Sequence, residues 1–335
     1  MKKILITGAS GFIGSFYVEE ALKKGFEVWA GVRKTSSLEF LTDSAIHFID
    51  LNYANVVGLQ EQIERHVAQN GQWDYIIHNA GITKCADVSD FDRINCDYTL
   101  NLINALKKSG NTPEKFVYMS SLSAFGPGDE INYTQLRLND TPRPNTAYGR
   151  SKIQAERYLQ SQTDFPYIIL RPTGVYGPRE KDYFAMVKLI HTGLDVAVGF
   201  KTQLLNFIYI QDLTEVCFTA MESSLKNKVW FVADGDTYTS KAYTKIVKEA
   251  LNKKYVFKMT LPLFFVKIAS DLTGFIYWLR GKPSLLNPDK YQILKQRNWS
   301  CDISSLQHDL GFKARYNLQK GMEETVAWYK ENGWL

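Results

Sequence analysis

With 335 residues, 45% of them hydrophobic, the chain is long enough to bury a full core and to form two domains or one with a large insertion. Its net charge of +5 is carried without a basic block or an arginine stripe interleaved with aromatics, which argues against a nucleic-acid partner. Cys85, Cys96, Cys217 and Cys301 have no paired or metal-type spacing and the five histidines are scattered, so reduced thiols, no structural metal and a cytoplasmic setting are expected.

The first apolar run, ending at Thr7, stops too early for a signal peptide and reads as a strand. It opens into Gly8-Ala9-Ser10-Gly11-Phe12-Ile13-Gly14, after which the apolar spacing becomes helical. In a strand, glycine turn and helix of this kind, Gly8 permits the tight turn, Gly11 lets backbone approach a pyrophosphate, and Gly14 lets the helix pack on the strand. The amides of Phe12 and Ile13 then meet the phosphates at the positive helix end. Further strands are expected at 27–32, 46–50, 75–79, 116–120 and 167–171 with helices between them, which predicts an α/β, doubly wound parallel sheet.

The end of the second strand bears on the cofactor. An acidic residue there would accept hydrogen bonds from the NAD ribose and repel a 2′-phosphate. This chain has Arg33 and Lys34, and no carboxylate before Glu39, so NADP is favoured over NAD. Farther along, Tyr148 and Lys152 stand four apart on a helix, on one face. The ammonium is expected to lower a phenol pKa that starts near ~10, so that Tyr148 exchanges a proton with an alcohol or ketone. A strand at 207–210 and a helix capped by Asp212 are expected next.

Together these residues resemble the extended branch of the short-chain dehydrogenase/reductase family. The likeness includes the G-x-x-G-x-x-G spacing, Asp50-Leu51, Asn79-Ala80-Gly81, Ser120-Ser121, the Tyr148/Lys152 pair and the run from Leu170 to Arg179. It implies a Rossmann domain over 1–176, to which 205–233 return, and a smaller substrate-binding part formed by 177–204 and 234–335. It also implies that Asp50 accepts from the adenine amino group beside Leu51, that Asn79, Ala80 and Gly81 line the cofactor, and that Pro172 and Thr173 border the nicotinamide. Ser121 would polarise the substrate oxygen, with Ser120 and Ser123 as neighbours open to misassignment. Lys152 would bind the nicotinamide ribose, Asn95 would brace the strand ends, and two copies would pair through helices starting near Phe91 and Tyr148.

Members of this branch include nucleotide-sugar epimerases, sugar dehydratases, steroid-type dehydrogenases and ketone reductases. Dehydratases carry an Asp-Glu pair beside the catalytic hydroxyl, where this chain has Leu122-Ser123. Epimerases return the hydride to the same substrate and need no NADPH pool, so Arg33 favours net reduction of a ketone. The alternative is a nucleotide-sugar 4-epimerase with Arg179 facing a diphosphate. Along 261–280, Phe264, Phe265, Ile268, Leu272, Phe275, Ile276 and Leu279 share one helical face that Lys267 and Asp271 interrupt, too broken to span a bilayer. That face packs on the body, lines an apolar pocket or touches a membrane surface; either of the last two implies a lipidic substrate, steroid-like or keto-sphingolipid-like.

Overall fold

The computed structural model describes residues 1–282, 284 and 286–335. Its strands in chain order are β1 (Lys3–Thr7), β2 (Glu27–Gly31), β3 (His47–Ile49), β4 (Tyr75–His78), β5 (Lys115–Met119), β6 (Tyr167–Pro172), β7 (Gly174–Tyr176), β8 (Leu194–Val198), β9 (Leu204–Leu205), β10 (Phe207–Tyr209), β11 (Lys228–Val232), β12 (Tyr238–Thr239), β13 (Phe257–Leu261) and β14 (Asn298–Trp299). Seven of them form one parallel sheet in the order β3-β2-β1-β4-β5-β6-β11. The expected doubly wound sheet is therefore present.

Both faces of the central strands β1, β4, β5 and β6 are covered, which is why these are largely apolar runs that do not alternate. Ile4 and Ile6 of β1 face one layer with Tyr17 and Val18 of the helix Phe12–Lys23 and Phe218 of the helix Ile210–Glu222. Leu5, Ile76 and Phe116 face the other, with Leu59, Leu102 and Leu159 from the helices Val56–Asn70, Tyr98–Lys108 and Ala147–Gln160. The strand order reverses between β1 and β4, and at such a point the carboxyl ends of the strands open into a crevice.

The rest of the chain makes small sheets, β7 with β10, β8 with β13, and β12-β9-β14. A third apolar cluster around Tyr176, Phe207, Tyr243 and Tyr329 joins them to the body. Segment 205–233 sends β11 beside β6, and Leu306 of the helix Ser304–Leu310 also joins the sheet's core. Asp212 does not cap its helix, which already begins at Ile210. Its carboxylate instead accepts the amides of Arg315 (3.2 Å) and Tyr316 (3.0 Å), tying the C-terminal segment to the helix.

Candidate functional site

Residues that are far apart in sequence meet here because β2, β1, β4, β5 and β6 are consecutive neighbours whose carboxyl ends lie side by side. After β1, Gly8 adopts φ +65°, and a Cβ on it would lie 2.9 Å from the Ala80 backbone at the end of β4. A Cβ on Gly14 would lie 2.1 Å from the Gly8 carbonyl oxygen, and one on Gly11 3.3 Å from the same atom. The helix therefore approaches the turn to a distance that only glycine allows. Gly11 is its N-cap and no side chain caps that end, so the Phe12 and Ile13 amides face the turn without a side-chain partner. A cradle of backbone donors with no room for side chains fits a pyrophosphate.

Arg33 and Lys34 follow β2 on the surface, and among the described residues neither has a carboxylate partner. They border a cleft of about 320 Å³ shared with Val32, Ser36, Ile49 and Asp50. The Asp50 carboxylate accepts the Lys34 amide at 3.3 Å, which fixes the turn, and Leu51 is buried beside it. After β4, Asn79, Ala80 and Gly81 run close to Thr7, whose hydroxyl accepts the Ala80 amide (3.0 Å) and bonds His78 Nδ1 (2.8 Å). His78 also reaches Thr99 at 2.9 Å, and burial with the nearby Lys152 charge pulls it down to about 3, so it stays neutral.

Asn95 lies in a π-helical stretch, Asp92–Asp97. The wider turn directs its amide to both polar groups of Ile82 (2.8 and 3.0 Å) and to Ser151 (3.1 Å), linking the loop after β4 to the helix Ala147–Gln160. Of the serines after β5, Ser120 is buried and bonded to Glu156, which receives Arg171 at 3.1 and 2.5 Å. Ser121 caps the short turn Leu122–Ala124, accepting the Ser123 amide at 3.1 Å, and its side chain lies close enough to Tyr148 to favour the phenolate. Ser120 is thus held inside the core, whereas Ser121 is half-buried. Pro172 is buried at the end of β6, and Thr173 is held to the Val232 carbonyl (3.2 Å).

Tyr148 is partly buried against Phe91, with ring centres 6.0 Å apart. Lys152, 4% exposed, donates to the Met119 carbonyl at 2.8 Å and lies 4.8 Å from the centre of the Tyr118 ring. Burial pulls Lys152 down to about 8, with Glu156 acting against it. Burial pushes Tyr148 up to about 12, while the nearby Ser121 side chain works the other way. The expected lowering of the phenol by the ammonium is not met, because loss of water around Tyr148 is the larger effect and Lys152 is directed to a carbonyl.

Two features, Asp289 and Glu156, carry no signal or a faint one in the sequence. Asp289 comes from the helix Pro288–Leu294 and accepts the amides of Ala147 (2.7 Å) and Tyr148 (3.2 Å), so a residue from the C-terminal region caps the helix that bears Tyr148. Glu156 stands one turn beyond Lys152, and that spacing is a visible cue, though its partner Arg171 is not. Arg179 turns to Ser15 (3.0 Å) and Glu19 (2.6 Å), with Phe16 and Phe40 each 4.5 Å from its guanidinium.

The model of the NAD dependent epimerase/dehydratase family matches residues 4–233. Over nearly its whole length the chain is similar to the UDP-glucose 4-epimerase of Vibrio cholerae, at 25% identity with 97% of this chain and 94% of the relative covered. It is equally similar to the decarboxylating sterol-4-alpha-carboxylate 3-dehydrogenase of Dictyostelium discoideum, at 25% identity with 97% and 100% covered. Among solved structures it resembles the UDP-glucuronic acid 4-epimerase from Bacillus cereus in complex with NAD, with a TM-score of 0.76, 20% identity, and 98% and 99% of the two chains covered. A glycine cradle after β1 and a match covering more than half the chain agree: the chain belongs to the NAD dependent epimerase/dehydratase family, a family of enzymes.

Proposed function

We propose that the chain is an NADP(H)-dependent oxidoreductase that reduces a hydrophobic ketone, steroid-like or keto-sphingolipid-like, to a secondary alcohol. The observation that carries this reading is the end of β2, where Arg33 and Lys34 border the cleft. A 2′-phosphate there meets a guanidinium fork and an ammonium, whereas an NAD ribose finds no carboxylate from the β2 turn itself. The dinucleotide supplies the hydride when bound. Tyr148 gives its proton to the substrate oxygen, and burial keeps the phenol protonated until that moment. The Ser121 hydroxyl donates to the same oxygen. The Lys152 ammonium holds the nicotinamide ribose and steadies the negative charge left on the phenol oxygen.

An epimerase reading has the Vibrio cholerae relative in its favour. It loses the diphosphate contact assigned to Arg179, whose guanidinium is committed to the first helix. The test is a panel of keto-lipids and UDP- or GDP-sugars with both reduced cofactors. Loss of NADPH absorbance with a keto-lipid, and an Arg33→Ala variant that weakens NADPH by ~10-fold while leaving NADH unchanged, are the expected results. Turnover of a nucleotide sugar without net NADPH consumption would establish epimerisation instead.

A further inference from the structure

The helix Leu263–Leu279 is amphipathic in the reverse sense for a helix lying on a globular body. Its inward side is small or polar: Val266 and Ser270 are buried, Thr273 bonds the Leu286 carbonyl, and Gly274 is where a Cβ would meet Pro288 at 2.9 Å. Its large apolar residues point away from the protein, with Phe264 67%, Leu272 56%, Phe275 57% and Trp278 57% exposed. The strand leading into it, β13, likewise exposes Phe257 and Met259. Packing of this face on the body, one of the three expectations from the sequence, is therefore excluded.

Positive charge predominates around the face. Residues 251–300 hold nine Lys and Arg against Asp271 and Asp289; of the nine, Arg297 is buried, Lys267 is paired with Asp271 and Lys290 lies 3.9 Å from Asp182. Lys254 and Lys258 precede the helix and Arg280 and Lys282 follow it; all four are exposed and, among the described residues, have no carboxylate partner. Tyr277 and Trp278 stand at the same end as Arg280, the combination of aromatic ring and cation that suits a headgroup layer. Seventeen residues extend roughly 25 Å, short of a bilayer crossing, and the Lys267–Asp271 ion pair breaks the run. Among the described residues, no helix is long and apolar enough to cross a membrane.

We propose that this helix lies in the plane of a lipid bilayer with anionic headgroups, its Phe264–Trp278 face sunk among the acyl chains and the flanking lysines and arginines on the phosphates. A second copy of the chain is the poorer occupant, since a two-fold contact would set one strongly positive patch against another. The docked surface is one packing contact from the site. The helix rests on Pro288, and the next residue, Asp289, caps the helix that carries Tyr148.

The proposal concerns the surface alone and does not depend on which substrate is reduced. Its test is co-sedimentation of the full chain with vesicles of phosphatidylcholine, with or without phosphatidylglycerol. The wild type is expected to pellet with the anionic vesicles and to be released as salt is raised. A Phe264→Glu/Phe275→Glu variant, changed only at exposed positions, should bind at least ~10-fold more weakly while keeping its NADP(H) affinity, which shows that it is folded. Lys254→Glu/Lys282→Glu should weaken binding to anionic vesicles more than to neutral ones. The proposal is overturned if the wild type stays in the supernatant with anionic vesicles, or if the Phe264→Glu/Phe275→Glu variant pellets as well as the wild type. It is also overturned if light scattering shows a dimer that this variant dissociates while the wild type ignores vesicles.

Discussion

Phe116 on β5 and Phe275 on the helix Leu263–Leu279 are the same side chain in opposite settings, one fully enclosed and the other 57% exposed. Phe116 lies in a strand covered by helices on both faces and is in contact with Phe165, whose ring centre is 5.3 Å away. Phe275 stacks on Trp278, 6.1 Å away, on a helix whose inner side is already filled by small residues. The difference teaches that apolar periodicity identifies a face without saying which way it points. That depends on what the neighbouring elements have left to bury.

This contrast can be broken by substitution. Phe116→Ala should lower unfolding free energy by about 3–5 kcal/mol, since a filled core position becomes a cavity. Phe275→Ala should change it by no more than about 0.5 kcal/mol in urea unfolding of the free protein. A loss above about 2 kcal/mol at Phe275 would mean that its face is covered in solution, and the distinction between the two regions would fall.

Charge sharpens the same contrast. Glu156 is fully buried and holds Arg171, whose guanidinium also lies 5.1 Å from the Phe125 ring centre and 5.6 Å from that of Phe231. Glu156→Gln leaves a buried cation without its counter-charge, and about 3–5 kcal/mol of stability should be lost. The exposed Lys267–Asp271 pair on the outer helix is the control, and Asp271→Asn should cost less than about 0.5 kcal/mol. Equal losses at the two sites would contradict the burial difference.

The proposed chemistry belongs to the enclosed region. Tyr148→Phe should lower turnover by ~10²–10⁴-fold with cofactor affinity unchanged, because one proton donor is removed and no phosphate contact. The pH profile follows from two displaced groups. Tyr148, held at about 12, remains an acid across the usual range, and Lys152, lowered to about 8, keeps its positive charge below that pH and loses it above. The rate of reduction should therefore be level on the acid side and fall through a one-proton limb near pH 8. A limb near 10 would show that Lys152 is not the titrating group.

How much of this could be read in advance depends on whether the cause is local. The glycines after β1 and the four-residue spacing of Tyr148 and Lys152 are visible because turn and helix geometry act over a few neighbours. The parallel sheet is visible because strands covered on both sides are largely apolar. Asp212 has the look of a cap, yet Ile210 and Gln211 already take helical geometry, and the carboxylate's partners are a hundred residues away at Arg315 and Tyr316. The direction of the Tyr148 shift is hidden for the same reason, since desolvation comes from the packed surroundings, Phe91 among them, and not from the adjacent turn. The π-helical stretch that aims Asn95 leaves no pattern in the sequence that distinguishes it from an ordinary helix.

A more local effect is expected where the two regions join. Three amides in the first turn of the helix Ala147–Gln160 have no intrahelical partner: Gly149 has the Thr146 hydroxyl at 2.9 Å, and Ala147 and Tyr148 have only the Asp289 carboxylate. Asp289→Ala removes the last two acceptors and a negative charge at a positive helix end, so about 1–2 kcal/mol should be lost. Asp289→Asn keeps one acceptor and should lose less. Because Asp289 follows Pro288, on which Gly274 rests, its removal also loosens the outer helix from the sheet half. Hydrogen exchange should then speed up along Leu263–Leu279 and at the start of the Tyr148 helix while β1, β4 and β5 keep their protection. Faster exchange throughout the sheet would show that the two regions unfold as one unit, and the joint would have no separate existence.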